Sequence, residues 1–123
     1  MESVDSGIKE GKMNNQQLGR LGEAVAVKYL EHSGYQILKR NYRTRFGEAD
    51  IIAAKGKELH FIEVKTRRGN SCGSPAESIT PLKKKHMKAA ASDFMAMTRG
   101  MPGSDRHPQL DAMEIQINHI ENI

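Results

Sequence analysis

Apolar residues recur with helical spacing from Asn15 to Ser33. At ~100° per residue, Leu18, Leu21, Gly22, Val25, Ala26, Tyr29 and Leu30 fall on one broad arc, which predicts a helix packed on a sheet. Asn14 or Asn15 suits the start of that helix, and Gly34 stands where a left-handed C-terminal cap is expected. The pattern then changes to strand-like runs, Tyr35–Arg43, Glu48–Lys55 and Glu58–Thr66. A turn at Phe46–Gly47 separates the first two, and Lys55-Gly56-Lys57 joins the last two as in a hairpin. A polar, glycine-containing loop is expected over Arg67–Ser78. Thr80 can cap a second helix, Pro81 suits its first turn, and the helix should run to about Thr98. Gly100–Pro108 reads as a loop and Gln109–Ile117 as a last strand. Residues 1–13 have no periodicity and read as a mobile tail, which leaves 14–123 as one domain.

The order is therefore helix, three strands, helix, strand. A meander followed by a helical crossover predicts an α/β fold with a mixed sheet flanked by helices. No glycine-rich phosphate loop follows a strand, which argues against nucleotide-dependent chemistry.

Composition narrows the picture. The chain has 123 residues, 37% hydrophobic and 28% charged, which suits one soluble globular domain. Its one cysteine, Cys72, leaves no intramolecular disulfide and fits a reducing compartment. No apolar run approaches the roughly 20 residues of a membrane span, and Met1–Lys12 has no apolar core of a secretory signal. A cytoplasmic protein without a membrane partner is expected. The net charge is +4 and the pI about 9.3. The cations fall in three groups: Lys39, Arg40, Arg43 and Arg45; Lys65, Arg67 and Arg68; Lys83, Lys84, Lys85 and Lys88. Such groups fit either a solvated basic surface or a phosphate backbone.

The chemistry concentrates in Gly47-Glu48-Ala49-Asp50-Ile51-Ile52 and Phe61-Ile62-Glu63-Val64-Lys65. Alternation along a strand puts Glu63 and Lys65 on one face. Pairing across the Lys55–Lys57 turn would bring Asp50 beside Glu63, while Ile51, Ile52, Ile62 and Val64 should be core. Charges on otherwise apolar strands need a compensating partner. A divalent cation is one, since Mg²⁺ prefers a few carboxylates plus waters and phosphate oxygens. A structural Glu63–Lys65 ion pair, with Asp50 an ordinary turn residue, is the other.

The spacing of Asp50 and Glu63-Val64-Lys65 matches the PD-(D/E)xK motif of the restriction-endonuclease-like superfamily. More closely, the chain resembles the YraN-like family of bacterial proteins, which is similar to archaeal Holliday junction resolvases. The residues carrying this resemblance include Gly19-Arg20-Leu21-Gly22-Glu23, Arg40-Asn41-Tyr42-Arg43, Gly47-Glu48 with Asp50-Ile51-Ile52-Ala53, and Phe61-Ile62-Glu63-Val64-Lys65-Thr66-Arg67. The resemblance runs from about Leu18 to Asn122. It implies a restriction-endonuclease-like core, Mg²⁺ or Mn²⁺ as metal, and DNA as partner, with hydrolysis of phosphodiester bonds on branched or damaged DNA as the activity. Rival readings are a non-catalytic nucleic-acid-binding module and a subunit of a DNA-processing complex. The resembled resolvases are dimers, so a homodimer is a further expected partner. Where the family tends to Arg-Phe-Asp-Val in the last strand, this chain has Gln109-Leu110-Asp111-Ala112.

The resemblance assigns metal binding to Asp50, Glu63 and Glu23, and a catalytic role to these with Lys65. Glu23 lies at ~140° from Leu18, at the border of the apolar arc. Lys83 lies inside the apolar stripe of the second helix, where it can reach a site carboxylate or a phosphate, or snorkel. Arg43, Arg45, Arg67, Arg68 and Lys83 are the candidate nucleic-acid contacts. Gly19 and Gly22, both inside the first helix, are expected to allow close backbone approach. Tyr35, Tyr42 and Phe46 could stack on bases, though core packing is expected for at least two. The five histidines share no ligand-like spacing, and His60 and His86 read as packing or surface residues.

Overall fold

The computed structural model describes residues 13–69 and 79–123. The expected tail falls almost wholly outside that span, as do Cys72 and most of the Arg67–Ser78 loop. The elements run α1 (Asn15–His32), β1 (Gln36–Arg43), β2 (Glu48–Lys55), β3 (Glu58–Arg68), α2 (Pro81–Met97) and β4 (His107–Ile117). The sheet order is β1-β2-β3-β4. The first three strands form an antiparallel meander, and β4 returns parallel to β3 after α2. This is the α/β arrangement with a mixed sheet that the pattern predicts.

The caps are those the residue types favour. Asn14 accepts from Gln17 N–H while the Gln17 side chain accepts from Asn14 N–H, a reciprocal capping box. Thr80 accepts from Lys83 N–H at the start of α2. Gly34 has φ +92, the left-handed geometry expected after α1.

Each helix covers one face of the sheet. Ala26 and Leu30 of α1 pack with Ile51, Ala53 and Ile62. Ala91 and Phe94 of α2 pack with Ala49, Ile52, Ala54, Leu59 and Phe61. Phe61, Ile51, Ile52 and Ile62 are the largest fully buried side chains, each worth roughly 1.5–3 kcal/mol of transfer free energy. Val64, expected in the core, is half-buried.

Two boundaries and the buried face of α1 differ from the sequence reading. β3 continues through Arg67 and Arg68, because both pair with Gln116 and Ile117 of β4. β4 begins at His107, whose N–H donates to Lys57 O at 2.7 Å. The apolar arc of α1 is narrower than its spacing predicts. Leu18, Gly22, Ala26 and Leu30 form a buried i, i+4 stripe, while Leu21, Val25 and Tyr29 are exposed.

His60 is buried between β3 and β4, with one ring nitrogen 2.6 Å from Asp111 Oδ2 and the other 2.9 Å from Glu58 Oε1. Tyr35 meets its ring edge-on at 5.2 Å. Tyr42 packs against Phe94 and donates to Asp93 Oδ2 at 2.7 Å. Phe46 stays exposed at the β1–β2 turn, with the Arg45 guanidinium 5.2 Å from its ring centre. Among the described residues no helix is long and apolar enough to cross a membrane.

Candidate functional site

Asp50 stands where the alternation of β2 slips. Ala49 and Ile52 both face α2, whereas Ile51 and Ala53 face α1. The β2–β3 pairing begins at Ile51 opposite Ile62. Beyond it, Val64 N–H donates to the Asp50 carboxylate, Oδ2, at 2.7 Å. The two strands thus part at Asp50, and the side chain takes over a backbone bond of the ladder. Irregularities of this kind re-aim a side chain out of the sheet plane.

Glu63 comes to the same place from β3. It is buried, and the Lys83 ammonium donates a charge-assisted hydrogen bond to its Oε2. Lys83 heads the buried stripe of α2, one turn before Met87, with Ala90, Ala91 and Phe94 following. That spacing aims it at the sheet. The bond to Glu63 raises the Lys83 pKa above 10.5, against the opposing effect of burial; the negative charges of Glu63, Asp50 and Glu48 act in the same direction as the bond.

Asp50 titrates at about 6. Burial is the main cause; the Val64 hydrogen bond opposes it, the carboxylates of Glu63 and Glu23 raise it further, and Lys83 lowers it. Glu63 and Lys83, together with Glu23 from α1, therefore share one electrostatic neighbourhood around Asp50. Three carboxylates face one ammonium there. A carboxyl whose pKa is raised by burial, and further by neighbouring carboxylates, marks a site where added positive charge is favourable.

That chemistry fits a hard divalent cation. Among the described residues, no three acidic, histidine or cysteine groups stand close enough together to hold an ion by themselves. Mg²⁺ does not need three, since it commonly takes one or two carboxylates and completes its shell with water and phosphate oxygens. Asp50 and Glu63 are the two best placed, with Glu23 at the margin.

The remaining candidates are dispersed. Lys65 lies on the Glu63 side of β3, is exposed, and ion-pairs with no carboxylate among the described residues. Arg43 is exposed and 3.4 Å from Glu48 Oε1. Arg45 is exposed at the β1–β2 turn, and exposed Arg68 donates to the Met13 carbonyl. Arg67 turns inward, its side chain 11% exposed and 3.3 Å from Glu114 Oε2.

Two glycines set how closely the helices bring these groups together. A Cβ on Gly22 would stand 1.7 Å from Thr66 Oγ1, so α1 contacts β3 only because the position is bare. A Cβ on Gly47 would stand 1.9 Å from His86 O, so the same holds for α2 against the start of β2. Gly22 thus has the close approach expected of it. Gly19 does not: among the described residues nothing lies within 4 Å of where its Cβ would be. Sequence reasoning also passed over Asn41, which has φ +52 inside β1. Its pairing neighbours, Arg40 with Ile51 and Tyr42 with Ala49, put it across from Asp50. No residue pattern signals that, because asparagine is ordinary in a polar strand end.

Residues 22–115, which hold the whole cluster, match the family described as "Uncharacterised protein family UPF0102". The chain is 47% identical over 87 residues to a UPF0102 protein of Geotalea uraniireducens, covering 71% of this chain and 68% of that one. It is 42% identical over 106 residues to one of Caldicellulosiruptor saccharolyticus, covering 86% and 87%. A third, from Moorella thermoacetica, is 38% identical over 111 residues, covering 90% of each chain. With the match spanning most of the chain and its candidate site, this protein belongs to the UPF0102 family.

Proposed function

We propose that this protein is a metal-dependent endonuclease that hydrolyses DNA phosphodiester bonds, with branched or damaged DNA as its substrate class. The observation that carries the reading is the carboxylate pair of Asp50 and Glu63 at the fork between β2 and β3, with Asp50 held at a raised pKa. Asp50 and Glu63 would hold Mg²⁺ or Mn²⁺, with Glu23 assisting. When bound, the metal makes water more acidic and offsets charge on the scissile phosphate. The chain's own residues do the rest. Lys65, exposed beside Glu63, orients the attacking water and neutralises charge that grows on the phosphate. Lys83 holds Glu63 aimed into the fork. Arg43, Arg45 and Arg68, all exposed, supply phosphate contacts along the strand.

A second reading is favoured by one observation. Glu63 is already neutralised by Lys83, which suits a nucleic-acid-binding module that keeps the cluster without turnover. Metal binding separates the two readings. Calorimetric titration with Mn²⁺ should find one site in the wild type, weakened at least about tenfold by Asp50→Ala, the loss of a charged ligand being worth more than about 1.4 kcal/mol. Equal binding by both proteins overturns the assignment.

A further inference from the structure

A polar cleft of ≈ 450 Å³ lies between the start of α1 and the end of β1. Gln16, Gly19, Arg20 and Glu23 line it from α1, and Asn41 and Arg43 from β1. These four are spaced i, i+3, i+4 and i+7, so they form one face, with Asn15 of the same helix beside them. Glu23 is shared with the candidate site, where its charge acts on Asp50. Asn41 on the other wall lies across from Asp50 in the β1–β2 register, so the cleft is next to the cluster.

Two features of this cleft have no role in the fold. Gly19 is the first. A glycine inside a helix costs about 1 kcal/mol relative to alanine, and close packing usually accounts for it. Gly22 has that justification, whereas among the described residues nothing lies within 4 Å of where a Gly19 Cβ would be. Asn41 is the second. A left-handed residue inside a strand is conformationally costly and is found where a side chain must be re-aimed. Here the deviation accompanies an amide on the cleft wall, opposite Asp50. Two guanidiniums complete the wall. Arg20 forms no ion pair among the described residues, and the Arg43–Glu48 contact is exposed and weak. Both are available to a phosphate.

We propose that the cleft binds one unpaired nucleotide next to the scissile phosphate. Gly19 leaves room for the strand to lie against α1, Arg20 and Arg43 take the phosphate, and the amides of Gln16 and Asn41 meet the sugar or base edge. The volume lies within the range of small-ligand sites, roughly 300–1,000 Å³, the scale of one nucleotide rather than of a duplex. Among the described residues no aromatic side chain lines it, so recognition is by hydrogen bonding and charge. The inference rests on nucleic acid as the partner of the neighbouring cluster, and it narrows the substrate to DNA with unpaired nucleotides.

The test is fluorescence anisotropy in Ca²⁺, with a labelled duplex carrying a single-stranded flap and the same duplex without it. Wild type should prefer the flapped DNA. Gly19→Leu, by filling the cleft, and Asn41→Ala, by removing a neutral amide contact, should each weaken flap binding by up to about tenfold and leave binding to the blunt duplex unchanged. Gly19→Ala serves as control for folding, because it should melt at or above the wild-type temperature while still weakening flap binding. Unchanged flap affinity in Gly19→Leu and Asn41→Ala, with wild type cutting DNA, overturns the cleft and spares the nuclease reading. Loss of flap preference in the variants, with no strand ever cut, supports the cleft and removes the nuclease reading. Wild type that binds neither DNA overturns both.

Discussion

Asp50 accepts a backbone hydrogen bond and still titrates at about 6. Its charge is therefore a burden on the metal-free fold. In the unfolded chain its pKa returns to about 3.8. Between those values the folded state binds more protons than the unfolded state, so stability falls as pH rises through that window and stays lower above it. Asp50→Asn removes the charge and keeps an oxygen for Val64 N–H. The variant should melt higher than wild type at about pH 7, and the gap should close below about pH 3.8, where the wild-type carboxyl becomes neutral in both states. Mn²⁺ should raise the melting temperature of wild type and leave that of Asp50→Asn unchanged. Equal melting temperatures at both pH values would mean that ionising Asp50 costs the fold nothing. Lys83 is the complementary residue, since its ammonium is the cation that pairs with Glu63 in a buried position.

Helix placement depends on bare backbone at two points. Gly22→Ala gains about 1 kcal/mol of helix propensity but forces a methyl group into Thr66, and overpacking typically costs about 1–3 kcal/mol. The clash involves the short, stiff Thr66 side chain at its Cβ as well as its hydroxyl, so the cost should win. Urea unfolding should give a lower midpoint with an unchanged slope; a midpoint at or above wild type would show that α1 can move off β3 freely. The two glycines of α1 show what the sequence could and could not convey. Helix spacing made α1 legible, and a glycine three residues from another pointed to close packing. Which of the two contacts a strand depends on where β3 lies, which local pattern does not contain. The pairing of β2 with β3 that brings Asp50 near Glu63 was legible because the hairpin at Lys55-Gly56-Lys57 fixes register through a short turn, whereas the parting of the strands at Asp50 was not. Nor was the end of β3. Arg67-Arg68 looks like loop on its own, and only pairing with Gln116 and Ile117 makes it strand. Lys83 was legible as an oddity, a cation in an apolar stripe, but its partner Glu63 emerges only when α2 crosses the sheet. Asn41 was illegible altogether, since a left-handed strand residue leaves no periodic trace.

In the assembled molecule, the sheet, its two helices and the fork between β2 and β3 bring an acid-rich cluster beside exposed cations. Lys65 is the residue whose removal separates chemistry from binding. It stands beside Glu63 without pairing to it, so its contribution belongs to the attacking water and to charge that develops in the transition state. Several other cations hold the ground-state DNA. The decisive measurement is single-turnover cleavage in Mg²⁺ or Mn²⁺ by wild type and Lys65→Ala, on linear, nicked, flapped and four-way DNA, with affinity measured in parallel in Ca²⁺. Wild type should cut at least one of these substrates only when the metal is present. Lys65→Ala should cut it at least about 10²-fold more slowly, the usual scale for losing one transition-state donor, while DNA affinity changes only a few-fold. Cleavage by Lys65→Ala at the wild-type rate, or no metal-dependent cleavage of any substrate by wild type, is incompatible with a nuclease site built on Asp50, Glu63 and Lys65.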